Sequence, residues 1–172
     1  MLMEDYDRLL NAIRYLRCYA FCVFGCKEQG DDLIERFLRE YVATNSRLNG
    51  RSYPLALFKA FHANHTVCKA FEALEKNNPR AVEDALHTAV LALPVKLRQA
   101  LILVRTMDFT HHDAAEIISL AETEVARNVN EAVDRLFQQE QPRQRSHDLE
   151  RRVGAGQSAK RSSKPGTLIG NQ

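Results

Sequence analysis

The sequence lacks the features of a membrane or secreted protein. It contains no run of about 18 uncharged apolar residues, so it predicts no membrane span. Its N-terminus, MLMEDYDR, is acidic where a signal peptide would be basic. The chain has only four cysteines, which we expect to be reduced thiols in the cytosol. We therefore predict a cytoplasmic protein with no membrane contact.

Motifs of catalysis and of cofactor binding are also missing. No Gly-rich phosphate loop, G-x-S-x-G or H-E-x-x-H motif occurs. Cys18, Cys22 and Cys26 are spaced by four, which aligns them along a helix but is not the C-x-x-C spacing of zinc ribbons. His111 and His112 point to different sides of a helix start, so they cannot easily share one metal ion. We predict no enzyme activity, cofactor, metal site or small-molecule substrate.

Charge divides the chain into two parts. Residues 1–137 hold 17 Lys/Arg against 19 Asp/Glu, a net charge of −2, while residues 138–172 hold 7 against 3, a net charge of +4. No aromatic residue follows Phe137. This composition predicts a disordered basic tail over 138–172, which is either a solubilising end or a non-specific contact for nucleic acid.

Helical periodicity covers the remainder, and no segment alternates with period two for long enough to form a strand. In the first half we predict a helix that ends at Gly25 and a second that begins at about Asp31. A third helix follows the N49-G50 turn and Ser52, and continues through Leu74.

The second half predicts four helices after a short joint at 76–79. Asn78 and Pro79 are suited to begin the first of them, and Pro94 ends it. A further helix covers the segment around residues 97–104. Thr110 and Asp113 form a capping-box pattern for a short helix to Ile118. With the S119-L120-A121 turn and a final helix, residues 109–136 predict a helix-turn-helix, with a plain helical hairpin as the alternative.

These segments resemble a known family. LPVKLRQALILV (93–104), F109-T110 and DAAEI (113–117) are similar to region four of extracytoplasmic-function sigma factors. YLRCYA (15–20), Gly25, G30-D31 and SYPLALFKAF (52–61) resemble the sigma-like domain of PhyR response regulators. The resemblance covers roughly residues 8–137.

The resemblance implies an all-α fold of two small helical domains plus the tail. A sigma region 2-like three-helix domain would occupy 1–76, and a region 4-like helix-turn-helix domain 79–137. PhyR proteins imitate a sigma factor and capture the anti-sigma factor NepR, under the control of a phosphorylatable receiver domain. Since only a short basic tail follows Phe137, we expect no receiver here.

Two candidate surfaces follow. The resemblance places a recognition helix at the end of the chain, with Glu124, Arg127, Asn128, Asn130 and Glu131 on it. Four acidic residues (Glu122, Glu124, Glu131, Asp134) outnumber its two arginines, and carboxylates repel DNA phosphate, although Asn128 and Asn130 retain the capacity to read base edges.

The second surface lies on the first helix. At about 100° per residue, Tyr15, Cys18, Tyr19 and Cys22 fall away from the apolar core face. They predict either a surface covered by the second domain or a groove for an amphipathic partner segment.

The sequence therefore favours a sigma-factor mimic that binds a NepR-like anti-sigma factor and acts in stress transcription. The alternatives are a diverged extracytoplasmic-function sigma factor, which would bind core RNA polymerase and promoter DNA, and a decayed relic of a PhyR gene. The short joint, which spans at most roughly 14 Å, would hinder a sigma factor that must reach two separated promoter elements.

Overall fold

The computed structural model of the protein describes residues 2–43, 53–76 and 84–138. Within these ranges the chain forms eight α-helices and no strand, which confirms the predicted all-α class. The helices are α1 (Leu2–Phe24), α2 (Lys27–Ala43), α3 (Tyr53–Ala63), α4 (His65–Lys76), α5 (Ala85–Leu91), α6 (Val95–Arg105), α7 (His111–Ile118) and α8 (122–138). The predictions for N49-G50, Ser52, Asn78, Pro79 and the tail beyond 138 lie outside the described residues.

Two glycines determine how α1 ends and how closely α2 packs on it. Gly25 ends α1 in the left-handed region, at φ 72°, as predicted. The second helix is present as predicted, but its predicted start was wrong, because α2 begins at Lys27 instead of about Asp31 and includes Gly30. A Cβ on Gly30 would lie 3.2 Å from the Cβ of Ala20. The glycine therefore lets α2 approach α1 closely.

The single third helix predicted for the first half is also wrong, because the chain breaks at Asn64 into α3 and α4. The side-chain oxygen of Asn64 accepts hydrogen bonds from the backbone N–H groups of Thr66 (2.9 Å) and Val67 (3.2 Å). Its amide nitrogen donates to Glu40 on α2, at 2.7 Å. Asn64 thus caps α4 and ties its start to α2.

The helix-turn-helix has the predicted local structure. Thr110 and Asp113 form a complete capping box at the start of α7, with the Asp113 N–H donating to Thr110 Oγ1 at 3.0 Å. Ser119 ends α7 in the left-handed region, and the Leu120 N–H donates to the carbonyl of Ala115. α8 begins directly after this turn.

One apolar core joins the two halves of the chain up to Leu136. Buried side chains from α1, α2, α3, α4, α6, α7 and α8 belong to a single cluster. α1 packs on α5 and α6, and α3 packs on α7. Phe58 and Phe109 contact each other edge to face across this boundary, with ring centroids 5.1 Å apart.

Arg98 on α6 stabilises the contact between the two halves of the chain. Its side chain is only 2% exposed. The guanidinium donates to the carbonyl oxygens of Val23 (2.6 Å), Leu93 (2.8 Å) and Leu91. These oxygens lie at the C-terminal ends of α1 and α5, where unpaired carbonyls and the helix dipole both favour a cation. Burial lowers the pKa of Arg98 to about 10, so the side chain stays charged at neutral pH.

Candidate protein-interaction surfaces

The predicted surface on α1 is only partly a surface. Tyr15 is 52% exposed and Cys18 is exposed, whereas Cys22 is half-buried. The prediction for Tyr19 was wrong, because its side chain is fully buried. Tyr19 lies three residues after Leu16 and four before Val23, which places it on the core face of α1.

A half-buried partner, His62, explains why the hydroxyl of Tyr19 is tolerated in the core. Tyr19 Oη and His62 Nε2 are joined by a hydrogen bond of 2.8 Å. The His62 ring also stacks on Phe71, with centroids 5.1 Å apart. Burial lowers the pKa of His62 to about 3, so its imidazole is neutral at physiological pH. No local sequence pattern indicates this pair, since its members are 43 residues apart.

Cys22 of α1 is not an activated thiol. Burial raises the pKa of Cys22 to about 11, with a smaller contribution from neighbouring Cys18, so this thiol is protonated at neutral pH. Cys26 donates to Glu28 at 3.3 Å. In the described part of the chain, no group of three or more His, Cys, Asp or Glu side chains is arranged to hold a metal ion.

The exposed arginines of α8 are both paired within the helix. Arg135 contacts Glu131 at 2.7 Å, and Arg127 lies 3.9 Å from Glu124. The prediction that Asn128 could read base edges was wrong: Asn128 is 6% exposed and lies on the core side of the helix with Val125. Asn130 is exposed.

A cationic groove lies between α1 and the start of α2, and sequence reasoning missed it. Its volume is about 400 Å³, and it is lined by Arg14, Arg17, Cys18, Phe21, Lys27 and Asp31. Arg17 binds Asp31 through two hydrogen bonds of 2.7 and 2.6 Å. The hydrogen bond from Arg17 lowers the pKa of Asp31. The only available signal was the 14-residue spacing of an Arg and an Asp, which is not specific.

Of the helices that the structure describes, none has the length and apolar character that crossing a membrane requires.

Comparison with known families matches both halves of the chain. Residues 9–62 match the Sigma2 domain of PhyR, and residues 92–139 match the sigma-like domain of the response regulator PhyR. These segments are the two parts of the chain that contribute α1 to α3 and α6 to α8.

A curated relative is an extracytoplasmic-function sigma factor. The chain is 28% identical over 153 residues to the ECF RNA polymerase sigma factor EcfG of Rhodopseudomonas palustris, which covers 76% of this chain and 81% of EcfG.

Three solved structures with a similar fold are complexes with the anti-sigma factor NepR. PhyR bound to NepR from Bartonella quintana has a TM-score of 0.57 at 24% identity; the alignment covers 78% of this chain but only 50% of that PhyR chain. The sigma factor RpoE with NepR, from the same organism, has a TM-score of 0.62 at 20% identity and covers 78% and 95% of the two chains.

The PhyR sigma-like domain with NepR from Sphingomonas sp. Fr1 has a TM-score of 0.61 at 25% identity, over 77% of this chain and 86% of that one. The family matches in both halves and this shared fold lead to one assignment: the chain belongs to the PhyR sigma-like family.

Proposed function

We propose that the protein is a sigma-factor mimic that binds an anti-sigma factor of the NepR type and thereby regulates stress transcription. The observation that carries this proposal is the internal pairing of both exposed arginines on α8. Such a role is regulatory rather than catalytic, requires no cofactor, and would be exercised in the cytoplasm. In this proposal the predicted region 2-like domain (1–76) and region 4-like domain (79–137) bind the anti-sigma factor together.

Electrostatics separate a mimic from a DNA-binding sigma factor. A recognition helix gains affinity from cations that meet phosphates and release counterions. On α8, Arg127 and Arg135 would have to leave Glu124 and Glu131 before either could meet a phosphate. The two further carboxylates, Glu122 and Asp134, would repel the phosphate backbone of DNA. Buried Asn128 has no access to a base edge. This face of α8 is better suited to a polypeptide.

The first half supports the same conclusion. Lys59 on α3 is one of the cations that a region 2-like domain could offer to DNA. Its ammonium group instead contacts the carboxylate of Glu116 on α7, at 3.0 Å. Both side chains are about half exposed, so the pair adds little to stability. It does neutralise the cation in the resting molecule.

We assign part of the partner contact to Tyr15 and Cys18 of α1. Tyr15 is a large, half-exposed aromatic side chain, of the kind that anchors protein interfaces. Cys18 lies on the next turn of the same face. Tyr19 is excluded from direct contact by its burial, and Cys22 offers only a partly accessible edge.

Isothermal titration calorimetry with a NepR-type anti-sigma factor from the same organism tests the proposal. We expect saturable binding with a Kd of about 1 μM or tighter, and a loss of tenfold or more in Tyr15→Ala. Val42→Ala on α2 is the matched control, since Val42 is also apolar and 72% exposed. Failure of the unaltered protein to bind would refute the proposed function, and equal losses in both variants would refute the role of Tyr15.

The second candidate is a diverged sigma factor, and the relative EcfG favours it. In that case the protein would recruit core RNA polymerase to a promoter. A footprinting assay with purified core polymerase distinguishes the two functions. A mimic leaves promoter DNA unprotected, whereas protection of a defined promoter would establish the sigma-factor function.

A further inference from the structure

We infer that the cationic groove between α1 and α2 binds an acidic segment of a protein partner. This inference rests on the proposed function, in that the segment would belong to the anti-sigma factor. Neither the family matches nor the sequence patterns assign any role to this groove.

Charge is the first argument. Three cations line the groove, Arg14, Arg17 and Lys27, against the single carboxylate of Asp31. Arg17 and Asp31 neutralise each other through their paired hydrogen bonds. Arg14 donates only to the neutral side chain of Asn11, at 3.3 Å, and forms no ion pair with any residue in the described ranges. Lys27 likewise forms no ion pair there, although its charge helps to lower the pKa of the Glu28 and Asp31 carboxyls. The positive end of the α2 dipole also lies at Lys27.

Shape and polarity are the second argument. Phe21, 41% exposed, and Cys18 provide apolar contact beside the cations. A polypeptide can place a carboxylate on Arg14 or Lys27 and an apolar side chain on Phe21 at the same time. The groove is also continuous with Cys18 and therefore adjoins the surface that we assign to the anti-sigma factor.

Other occupants fit less well. The chain's own tail, residues 138–172, has a net charge of +4 and would be repelled. A nucleic acid would extend beyond three cations onto a part of the chain, residues 1–137, whose net charge is −2. A short acidic peptide segment needs only the local charge, so it is the occupant that we propose.

The test uses the full chain and a pair of matched double variants. Arg14→Glu with Lys27→Glu reverses the two unpaired cations and leaves the Arg17–Asp31 pair intact. Lys96→Glu with Arg105→Glu makes the same charge change on α6, at exposed residues outside the groove. Circular dichroism and thermal melting check that both variants remain folded.

Calorimetry with the anti-sigma factor should show a loss of affinity of tenfold or more in the groove variant, and a change of less than about threefold in the control. The loss should shrink at high salt, because screening weakens exposed charge pairs. Unchanged affinity in the groove variant, or an equal loss in the control, would overturn the groove assignment while leaving the proposed function standing.

A second probe addresses the case in which the anti-sigma factor does not bind at all, which would refute the proposed function. A fluorescent peptide in which glutamate pairs alternate with leucines is titrated into the same variants. Binding that only the groove variant loses would still support an acidic segment as the ligand. Absence of binding, or displacement of the peptide by duplex DNA of mixed sequence at equimolar amounts, would overturn the inference.

Discussion

Arg98 shows how a single charged side chain can define the relation between two helical units. A buried guanidinium is costly unless its donors are satisfied. Here the two terminal nitrogens donate to backbone carbonyls from the ends of two helices, whereas the buried Nε has no hydrogen-bond partner among the described residues. One acceptor, Val23, belongs to α1, and the other two, Leu91 and Leu93, flank the end of α5. The residue therefore stabilises both helix ends and the contact between them.

Arg98→Met should lower the free energy of unfolding by about 3 kcal/mol or more, because three buried carbonyls lose a charged donor. Arg98→Lys should recover part of this loss, because it restores a positively charged donor. The recovery should be incomplete, because the ammonium group reaches fewer of the three oxygens than the guanidinium does. Urea denaturation measures both changes. Arg105→Met, on the exposed side of the same helix, is the control and should stay within about 0.5 kcal/mol of the unaltered protein. A similarly small effect in Arg98→Met would contradict the proposed role.

His62 makes stability depend on pH. Its pKa is about 3 in the folded protein, against an ordinary value of 6.5, because burial disfavours the imidazolium. Between these values the unfolded chain binds the proton more tightly, so acidification favours unfolding. The contribution of neutral His62 is complete above pH 6.5, falls as the pH decreases, and is lost once the pH reaches about 3.

At pH 5 the cost from His62 should be roughly 2 kcal/mol, at about 1.4 kcal/mol for each pH unit below 6.5. Chemical denaturation at pH 7 and pH 5 measures it. His62→Gln should be less stable at pH 7 but should lose about 2 kcal/mol less between the two pH values. His65→Gln alters an exposed histidine and should retain the pH dependence of the unaltered protein. Identical pH dependence in both variants would rule out His62 as the source.

At the scale of helices, local signals predicted the helix-turn-helix well. The capping box and the left-handed turn involve residues within a few positions of each other, so their geometry is encoded locally. Contacts between distant residues were not predictable. Asn64 caps α4 while it binds Glu40, and Asn128 is buried on the core side of α8. A polar residue with helical spacing does not reveal which side of its helix is covered.

Tyr19 illustrates the same limit within one helix. Its spacing from Leu16 and Val23 was compatible with the core, but the sequence-based interpretation grouped it with Tyr15, Cys18 and Cys22 on the face away from the core. The decisive partner, His62, is on α3 and becomes adjacent only when α1 and α3 pack. The candidate surface on α1 was therefore predicted in part, through Tyr15 and Cys18.

The capping box of α7 gives a prediction at this scale. Thr110→Ala should destabilise the protein by about 1 kcal/mol, because the Asp113 N–H loses its acceptor and the Asp113 carboxylate loses the hydroxyl that donates to it. Thr110→Ser keeps the hydroxyl and should remain within about 0.5 kcal/mol of the unaltered protein. Urea denaturation distinguishes the two. An equal loss in both variants would indicate that the methyl group, not the cap, is responsible.

For the whole folded portion, the shared core predicts cooperative unfolding. Apolar side chains from both halves form one cluster, and Phe58 contacts Phe109 across their boundary. Differential scanning calorimetry should show a single transition whose calorimetric and van't Hoff enthalpies agree. Phe109→Ala should shift that transition to lower temperature without splitting it. Two separate transitions in the unaltered protein would mean that the halves unfold independently.

The position of Arg98 has a kinetic consequence for any ligand that inserts between the halves. To separate α6 from α1, the guanidinium must leave the oxygen of Val23 before the ligand can supply a substitute. The protein therefore has to open before the ligand can bind between the halves. Association should therefore reach a plateau rate at high ligand concentration, set by how often the protein opens by itself.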